Sequence, residues 1–427
     1  MFGLFLKNIK YFFCILFFLF FYEVKAQQID SFYNLLDSST FEAALTDYFG
    51  NVNVGELKLS TPLQVFFKDN EYKRKIAYGY TLCGFRLKPN LEYKSSKNLI
   101  VAMGINVLRY WGANEYGSYN FVSVPYYTDA NIQHQVHIKP YLRVTYKPIK
   151  SLTFILGDLD NSTCHNFNAP LYNSELLYSA DDEEGLQLIY DCKYGSTDIW
   201  VNWQNFNFVD DVDREALLAG ASGYGLMKIS DYDILKFNYG FMWQHHGGEL
   251  DTLDLPLDHW TNMRLGLEYK KSLICLQCEN YFNIGVDYYY SKALKNDTWY
   301  FSSGHAWYPH IGFARNKLST DFGYFYSKDF ISLYGNAFYS NIAQRDKTIY
   351  YPKNKMLTAS LSYKVGISDV KNSNYDKHSK YNLYFFTELY YKTDDCNSLE
   401  KETKSLSFAV GVRFAINDTF HLINVRK

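Results

Sequence analysis

Beyond its first two dozen residues, this chain of 427 residues contains no apolar run long enough to cross a bilayer as a helix, which takes about 20 residues. If it lives in a membrane, it crosses as strands. Charge of one sign is missing too: 43 Lys and Arg stand against 45 Asp and Glu, a formal charge of −2. Nucleic-acid binders carry clustered basic charge, so no nucleic-acid partner is expected. Cysteine is sparse at seven, and the positions are scattered; a chain this long does not need a disulfide framework. Cys275-Leu-Gln-Cys278 has the spacing of a redox or zinc pair. On a strand, positions i and i+3 face opposite ways, so we read two unrelated strand residues. Gly-x-Ser-x-Gly is absent, and Ser302-Ser303-Gly304-His305 is the nearest Ser/His association. Closeness in sequence is not the spatial nucleophile–base arrangement that catalysis needs. The residues thus predict no enzyme, no cofactor and no metal.

What is present begins at the N-terminus. Lys7 and Lys10 precede an apolar run from Tyr11 to Tyr22, followed by Val24-Lys25-Ala26 and the polar Gln27-Gln28. That order of charge, apolar core and small-residue site predicts a secretory signal peptide cleaved after Ala26. Cleavage removes three lysines and one glutamate and takes the formal charge to −4. Residues 27–55 form an N-terminal segment in which Ser39-Thr-Phe-Glu42 fits a capping box and predicts a short helix. Residues 56–427 read as one domain.

In that domain, alternation is nearly continuous. Val136, Ile138, Pro140, Leu142, Val144, Tyr146 and Pro148 alternate with His137, Lys139, Tyr141, Arg143, Thr145 and Lys147. Period two puts an apolar face opposite a polar one. Each proline needs an unpaired position, a bulge or a strand end. Similar segments start at Thr81, Leu99, Leu235, Met263, Phe282, Leu383 and Leu406. Ten residues at ~3.3 Å each, tilted near 45°, span roughly 23 Å, close to the ~25 Å apolar band of outer-membrane barrels. Aromatics make up 19% of the chain, with 41 Tyr and 33 Phe, as the interfacial girdles of such barrels require. The expected fold is all-β: a single transmembrane antiparallel up-and-down barrel of about sixteen strands, within fourteen to eighteen, wide enough for a lumen. Long polar inserts at 112–131, 158–183, 245–260 and 366–380 read as extracellular loops, and 158–183 could fold inward. Phe414 looks like the terminal aromatic of such a barrel, with either one more short strand over Thr419–Val425 or a periplasmic tail after it.

Several motifs come in a set order. Phe67-Lys-Asp-Asn70-Glu71-Tyr72 precedes Gly79-Tyr-Thr-Leu-Cys-Gly84-Phe-Arg-Leu-Lys-Pro89. Gly157-Asp-Leu-Asp160 leads to Pro170-Leu-Tyr-Asn173-Ser-Glu175, then Glu184-Gly185-Leu-Gln-Leu and Asp198-Ile-Trp200-Val-Asn-Trp203. Arg214-Glu215, Gly220 and His245-His-Gly-Gly248 close the series. In these motifs the stretch from Val65 to about Tyr269 resembles an uncharacterised porin-like family of outer-membrane β-barrels from Bacteroidetes. The resemblance implies place and fold more than activity.

The candidate site residues lie on polar strand faces. Arg86, Lys88, Lys139, Arg143, Asp198, Trp200, Asn202, Gln204, Arg264 and Glu268 are expected to line the lumen. Acid, amide, indole and guanidinium groups there would make a solute-binding constriction, with aromatics stacking on sugar rings. The same groups could instead brace the wall as a structural network. His245 and His246, near Glu249 and Asp251, are weak candidates for a transition metal; a structural turn at the loop base is the plainer reading. The Pro170–Glu175 motif reads as a loop anchored inside the barrel. Gly220-Ala-Ser-Gly223-Tyr-Gly225 reads as a hairpin turn. The function expected from sequence is a porin-like channel in the bacterial outer membrane. It would contact membrane lipids and pass small polar solutes, ions and sugars, by passive diffusion. The alternative is a plugged barrel acting as a surface binding or structural protein.

Overall fold

A computed structural model describes residues 54–73, 76–77, 79–111, 136–206, 215–248, 257–273, 280–295, 301–344, 348–366, 381–393 and 404–423. The expected signal peptide and N-terminal helix lie outside these residues, as do Cys275, Cys278, Arg214, Glu249 and Asp251.

Seventeen strands make one antiparallel sheet: β1 (Leu57–Glu71), β2 (Thr81–Leu87), β3 (Asn90–Ser96), β4 (Leu99–Trp111), β5 (His137–Ile149), β6 (Leu152–Asp158), β7 (Glu184–Cys192), β8 (Gly195–Asn205) and β9 (Ala216–Lys228); then β10 (Asp233–His246), β11 (Asp258–Ser272), β12 (Tyr281–Lys295), β13 (Ser303–Arg315), β14 (Leu318–Lys328), β15 (Lys353–Gly366), β16 (Tyr381–Lys392) and β17 (Ser405–Ile423). β2 and β3 are two pieces of one wall strand. β2 pairs with Leu63–Asp69 of β1 and β3 with Leu57–Ser60, and both pair with β4 on the other side. The break falls at Lys88-Pro89, where proline supplies no N–H. The wall therefore has sixteen strands, and β1 closes it against β17 from Leu57↔Ile423 to Glu71↔Phe408. Phe414 is not the end: β17 runs on unbroken through Phe420, which lies opposite Leu59 of β1.

The outward face is apolar. Met103, Ile138, Leu142, Leu156, Leu186, Leu265 and Phe322 are among the exposed large side chains, each more than half exposed. A bilayer tolerates strands only when their backbone groups are paired, and closure of β1 on β17 leaves neither terminal strand as an open edge. Among the described residues, no helix is long and apolar enough to cross a membrane.

β5 obeys the proline rule. Ile105 donates its N–H to Pro89, so its partner Pro140 turns its ring nitrogen away from β4. Pro148 falls in the register shift between Tyr146 and Ile149.

One end of the barrel carries two-residue turns, such as Lys193-Tyr194 and Asn316-Lys317. From the other end, two inserts turn into the barrel. Insert one (159–183) holds a 3-10 turn at Cys164–Asn166 and a one-turn helix, α1 (Leu176–Ser179). Insert two (329–352) holds a 3-10 turn at Ala337–Tyr339. Phe167, Leu171, Tyr172 and Leu176 from the first pack with Phe330, Ile331, Leu333, Tyr334, Phe338 and Tyr351 from the second. Inward wall residues Trp200, Leu218, Met242, Trp260 and Tyr289 complete this core. The inserts also bond to each other, Asn173 N–H to Tyr334 O at 2.8 Å and Asn336 N–H to Ala169 O at 2.9 Å. Among the described residues, the two inserts and the inward wall residues thus form a packed core inside the barrel.

Three sequence expectations are corrected here. Strand direction places Gly366 and Tyr381, the limits of 367–380, at the two-residue-turn end, so this insert does not share an end with the others. What was expected as a loop at 245–260 is strand at its margins, His245 and His246 in β10 and Asp258–Trp260 in β11. Gly220–Gly225 is the middle of β9 and not a turn. Its glycines make room on the inner and outer faces: a Cβ at Gly220 would overlap the Trp200 ring, and one at Gly223 the Tyr239 ring.

Candidate functional site at a notch in the barrel wall

The wall is not of even height. One cross-strand row runs Arg143, Gly157, Gly185, Asn202, Leu218, Gln244, Trp260 from β5 to β11. Past this row toward the insert end, β5 continues from Leu142 to His137, while β6 adds Asp158 and β7 adds Glu184. β6 and β7 have seven and nine residues, against 13 to 15 in β9 to β12. The result is a notch. On its β5 side the edge His137–Leu142 has no strand partner among the described residues, and the ring nitrogen of Pro140 faces it. Both limbs of insert one pass through this gap. Gly157, at φ +98°, turns the chain out of β6 in a conformation that L side chains rarely adopt.

Side chains bridge the gap in place of a ladder. Asp158 accepts the Leu142 N–H at 2.6 Å. Arg143 donates from Nε to Asp158 O at 2.7 Å and from Nη2 to Leu159 O at 2.6 Å. Leu159 N–H reaches Glu183 O at 2.7 Å, joining the two limbs. The returning limb carries four successive acids, Asp181, Asp182, Glu183 and Glu184. Asp181 holds His137 Nε2 at 2.9 Å and Lys139 Nζ at 3.1 Å. Asp182 holds Arg86 at 2.6 Å and Lys88 at 2.5 Å. Glu183 turns inward to His165. Lys139 also lies 3.9 Å from Glu184. Burial pushes the Asp182 carboxyl up, but Arg86 and Lys88 outweigh it and hold it down at about 2. Burial likewise opposes ionisation of Asp181, and His137 with Lys139 brings it below the usual carboxylate range. His137 and Lys139 are 19% and 30% exposed, and Glu184 is 49% exposed. Solvent or a ligand can therefore reach this cluster.

Chemically, the notch offers an imidazole oriented by a carboxylate, the arrangement of a general base. An ammonium group beside it can stabilise developing negative charge.

A second polar centre is fully buried. Cys164, His165 and Asn166 all have φ near +50° to +57°, a left-handed turn that pushes His165 between two carboxylates. Its Nδ1 meets Asp198 at 2.7 Å and its Nε2 meets Glu183 at 2.9 Å. The ring stacks on Trp200 at 4.0 Å, and Ser222 Oγ donates to the His165 carbonyl. Burial alone would lower the imidazolium, but Glu183 and Asp198 raise it to about 10. With both nitrogens engaged, His165 is an anchor and not a base.

The other sequence-selected residues fall as follows. Arg86 and Lys88 bond Asp182, and Arg86 also donates to Leu177 O at 2.6 Å. Asp198 and Trp200 hold His165, and Asn202 accepts the Glu184 N–H at 3.2 Å. Gln204 is on the same face of β8. Arg264 is paired with Asp287 at 2.8 Å and donates to Asn166 O at 3.0 Å. Glu268 lies on the inward face of β11, opposite Lys236 of β10. Structure gathers Arg86, Lys88, Lys139, Arg143, Asp198, Trp200 and Arg264 around insert one, while Glu268 is elsewhere. His137, His165 and the acidic run were not singled out by sequence reasoning; four successive acids closing an aromatic insert were the available signal.

His245 and His246 diverge. His245 pairs across strands with His259, and His246 bonds Gln244. Among the described residues, no group of three or more His, Cys, Asp or Glu could hold a metal ion. Ser303 and His305 sit two positions apart on β13.

Among curated proteins, none matches the chain. Solved structures similar to it include OccAB4 of Acinetobacter baumannii (10% identity, TM-score 0.45), with 86% of this chain and 99% of that one covered. OpdK of Pseudomonas aeruginosa, solved with vanillate, gives 10% identity and a TM-score of 0.45, covering 85% of this chain and 99% of that one. A loop-deletion mutant of OmpT, an outer-membrane protein of Vibrio cholerae, gives 10% and 0.43, covering 85% and 100%. The family model described as lipid A 3'-O-deacylase-type matches residues 49–425. That family is named for an enzyme, which overturns the expectation of no enzymatic role. By that match, over most of its length, the chain belongs to the lipid A 3'-O-deacylase-type family.

Proposed function

We propose that this protein is an outer-membrane ester hydrolase that removes an acyl chain from a lipid of the lipid A class, and that it works at the notch. The observation carrying this reading is the coincidence of the wall gap with the His137–Asp181–Lys139 cluster. A lipid held in the bilayer can bring its ester to this inward-facing cluster through the notch, beside the edge His137–Leu142 that has no strand partner there among the described residues. His137, held by Asp181, takes a proton from water; the water oxygen bonds to the ester carbonyl carbon. Lys139 stabilises the oxyanion. The carbon–oxygen bond to the sugar then breaks, the sugar oxygen takes the proton, and the acyl chain leaves as a carboxylic acid. The family match over residues 49–425 supports this chemistry.

Passive diffusion, the reading favoured by strand number, needs a continuous aqueous path. The two inserts and their aromatic core stand across it, which favours the hydrolytic reading. The deciding experiment incubates purified, refolded protein with lipid A and follows products by mass spectrometry. Loss of one hydroxyacyl chain with appearance of the free acid is expected. Intact lipid A after prolonged incubation, with the barrel shown to be folded, would falsify the proposal.

A further inference from the structure

On the outward face, near the insert end, three neighbouring strands carry an unusual set of side chains for a lipid-facing wall. Trp243 and His245 of β10 stand beside His259 of β11. The indole stacks on both imidazoles, at 5.7 Å and 5.8 Å. The two imidazoles lie 4.7 Å apart, with their Nδ1 atoms at 3.4 Å. In register, Lys295 of β12 is opposite His259, and Lys292 is opposite Thr261. Both lysines are exposed. Farther down the same faces, Phe237, Phe241, Leu265 and Leu267 are exposed and apolar. The cluster thus marks where the apolar belt ends.

Two adjacent imidazoles and two lysines repel one another when protonated. An anion placed among them removes that repulsion, and an indole at this level suits the boundary between acyl chains and headgroups. Basic side chains at a membrane surface draw anionic lipids. Neither lysine, nor either imidazole of this group, takes part in the notch.

We propose that Trp243, His245, His259, Lys292 and Lys295 form a docking site for the phosphate-bearing headgroup of a membrane lipid. The phosphate oxygens sit against the imidazoles and ammonium groups, and the acyl chains lie along Phe241 and Leu265. This site does not rest on the hydrolytic reading and would serve an inactive barrel equally.

The test uses the full chain refolded in dodecyl maltoside and an ether-linked phosphatidic acid, which has no ester to cleave. Retained lipid is counted by native mass spectrometry. Against the wild type, the variant H245Q/H259Q/K292Q/K295Q is expected to need at least tenfold more phosphatidic acid for equal occupancy. The matching ether-linked diacylglycerol analogue, without phosphate, should be retained poorly by both. K292Q/K295Q alone serves if the fourfold variant does not refold, and should show part of the loss. Equal retention by wild type and variant overturns the site. So does displacement of the lipid by an equal concentration of inorganic phosphate, because the headgroup would then be a free-anion ligand and not a membrane dock.

Discussion

His165 Nδ1 lies 2.7 Å from Asp198 Oδ2, joining the turn of insert one to the inner face of β8. The residue donating that bond has a positive φ, as do both its neighbours. Each non-glycine residue in this region costs roughly 1–2 kcal/mol. The strain persists because the turn is held on all sides: carboxylates at both ring nitrogens, Trp200 beneath the ring, and Ser222 on the carbonyl. The insert is therefore fastened first at His165, deep in the barrel, and second at Asp182, near the notch, with further ion pairs from Asp181 to His137 and Lys139 and from Glu175 to Lys68.

The first fastening predicts a pH dependence. His165 is raised from 6.5 to about 10 in the fold, so its contribution is full below about 6.5 and disappears as pH rises through about 10. Glu183 is lowered from 4.5, with burial opposing and His165 outweighing it; its contribution holds above about 4.5 and is lost in acid. Raising pH from 7 to 10.5 should then loosen insert one without melting the wall. Chymotrypsin cleavage after Phe167 or Tyr172 should accelerate over that range in the wild type. In H165F the same cleavage should be fast throughout, with no step. A pH-independent cleavage rate in the wild type would remove His165 as the anchor.

A socket in the wall predicts a steric effect. A Cβ at Gly240 would overlap the ring of Phe167, so the insert can seat only where β10 has no side chain. G240L should expel Phe167, and overpacking of this kind costs typically 1–3 kcal/mol. The reading is a lower thermal midpoint for insert one, followed by chymotrypsin susceptibility. G225L, at a glycine with no atom near its Cβ position, should leave that midpoint in place.

How much of this was legible beforehand depends on which force set each feature. Alternation over Val136–Pro148 exposed the barrel, because period two is a direct image of a wall with lipid on one side. The strand number followed from length, and the outward rows at Ile138 and Leu142 carry the apolar belt. Insert one was visible as a polar interruption. Insert two was not singled out: Phe330-Ile-Ser-Leu-Tyr334 and Ala337-Phe-Tyr339 are largely apolar, and a segment packed inside the barrel is as apolar as one facing lipid. His137 was hidden in plain alternation, one more polar residue facing inward. Its partner Asp181 is 44 residues on, and no periodicity links them.

The proposed chemistry predicts a split between neighbours. H137Q keeps a polar side chain yet cannot take a proton; general-base removal typically costs about 10²–10⁴-fold in rate. D181N should lose less, because the imidazole remains but is no longer oriented. K139Q should reduce kcat with little change in KM if the ammonium acts on the oxyanion. All three should migrate as folded barrels in unheated gels, since each change keeps a polar side chain of similar size and leaves the strand ladder of the wall intact. Wild-type turnover in H137Q would move the chemistry away from the notch.

The second fastening can be isolated by conductance. Arg86 and Asp182 are both nearly buried, at 3% and 6% exposure, and 2.6 Å apart. Removing one partner of such a pair strands the other charge and costs about 3–5 kcal/mol. R86A leaves Asp182 with Lys88 and the Asn106 amide, whereas R86M/D182N removes both charges and keeps some packing. If insert one closes the lumen, the wild type should show no stable steps in a planar bilayer. R86A should flicker open, and deletion of residues 161–181 should give sustained steps larger than either. R86M/D182N should fall nearer the wild type than R86A does, because the uncompensated charge, and not the missing bond, drives release. Stable wild-type steps equal to those of the deletion would mean that the insert does not obstruct ions, and would return the channel reading to the front.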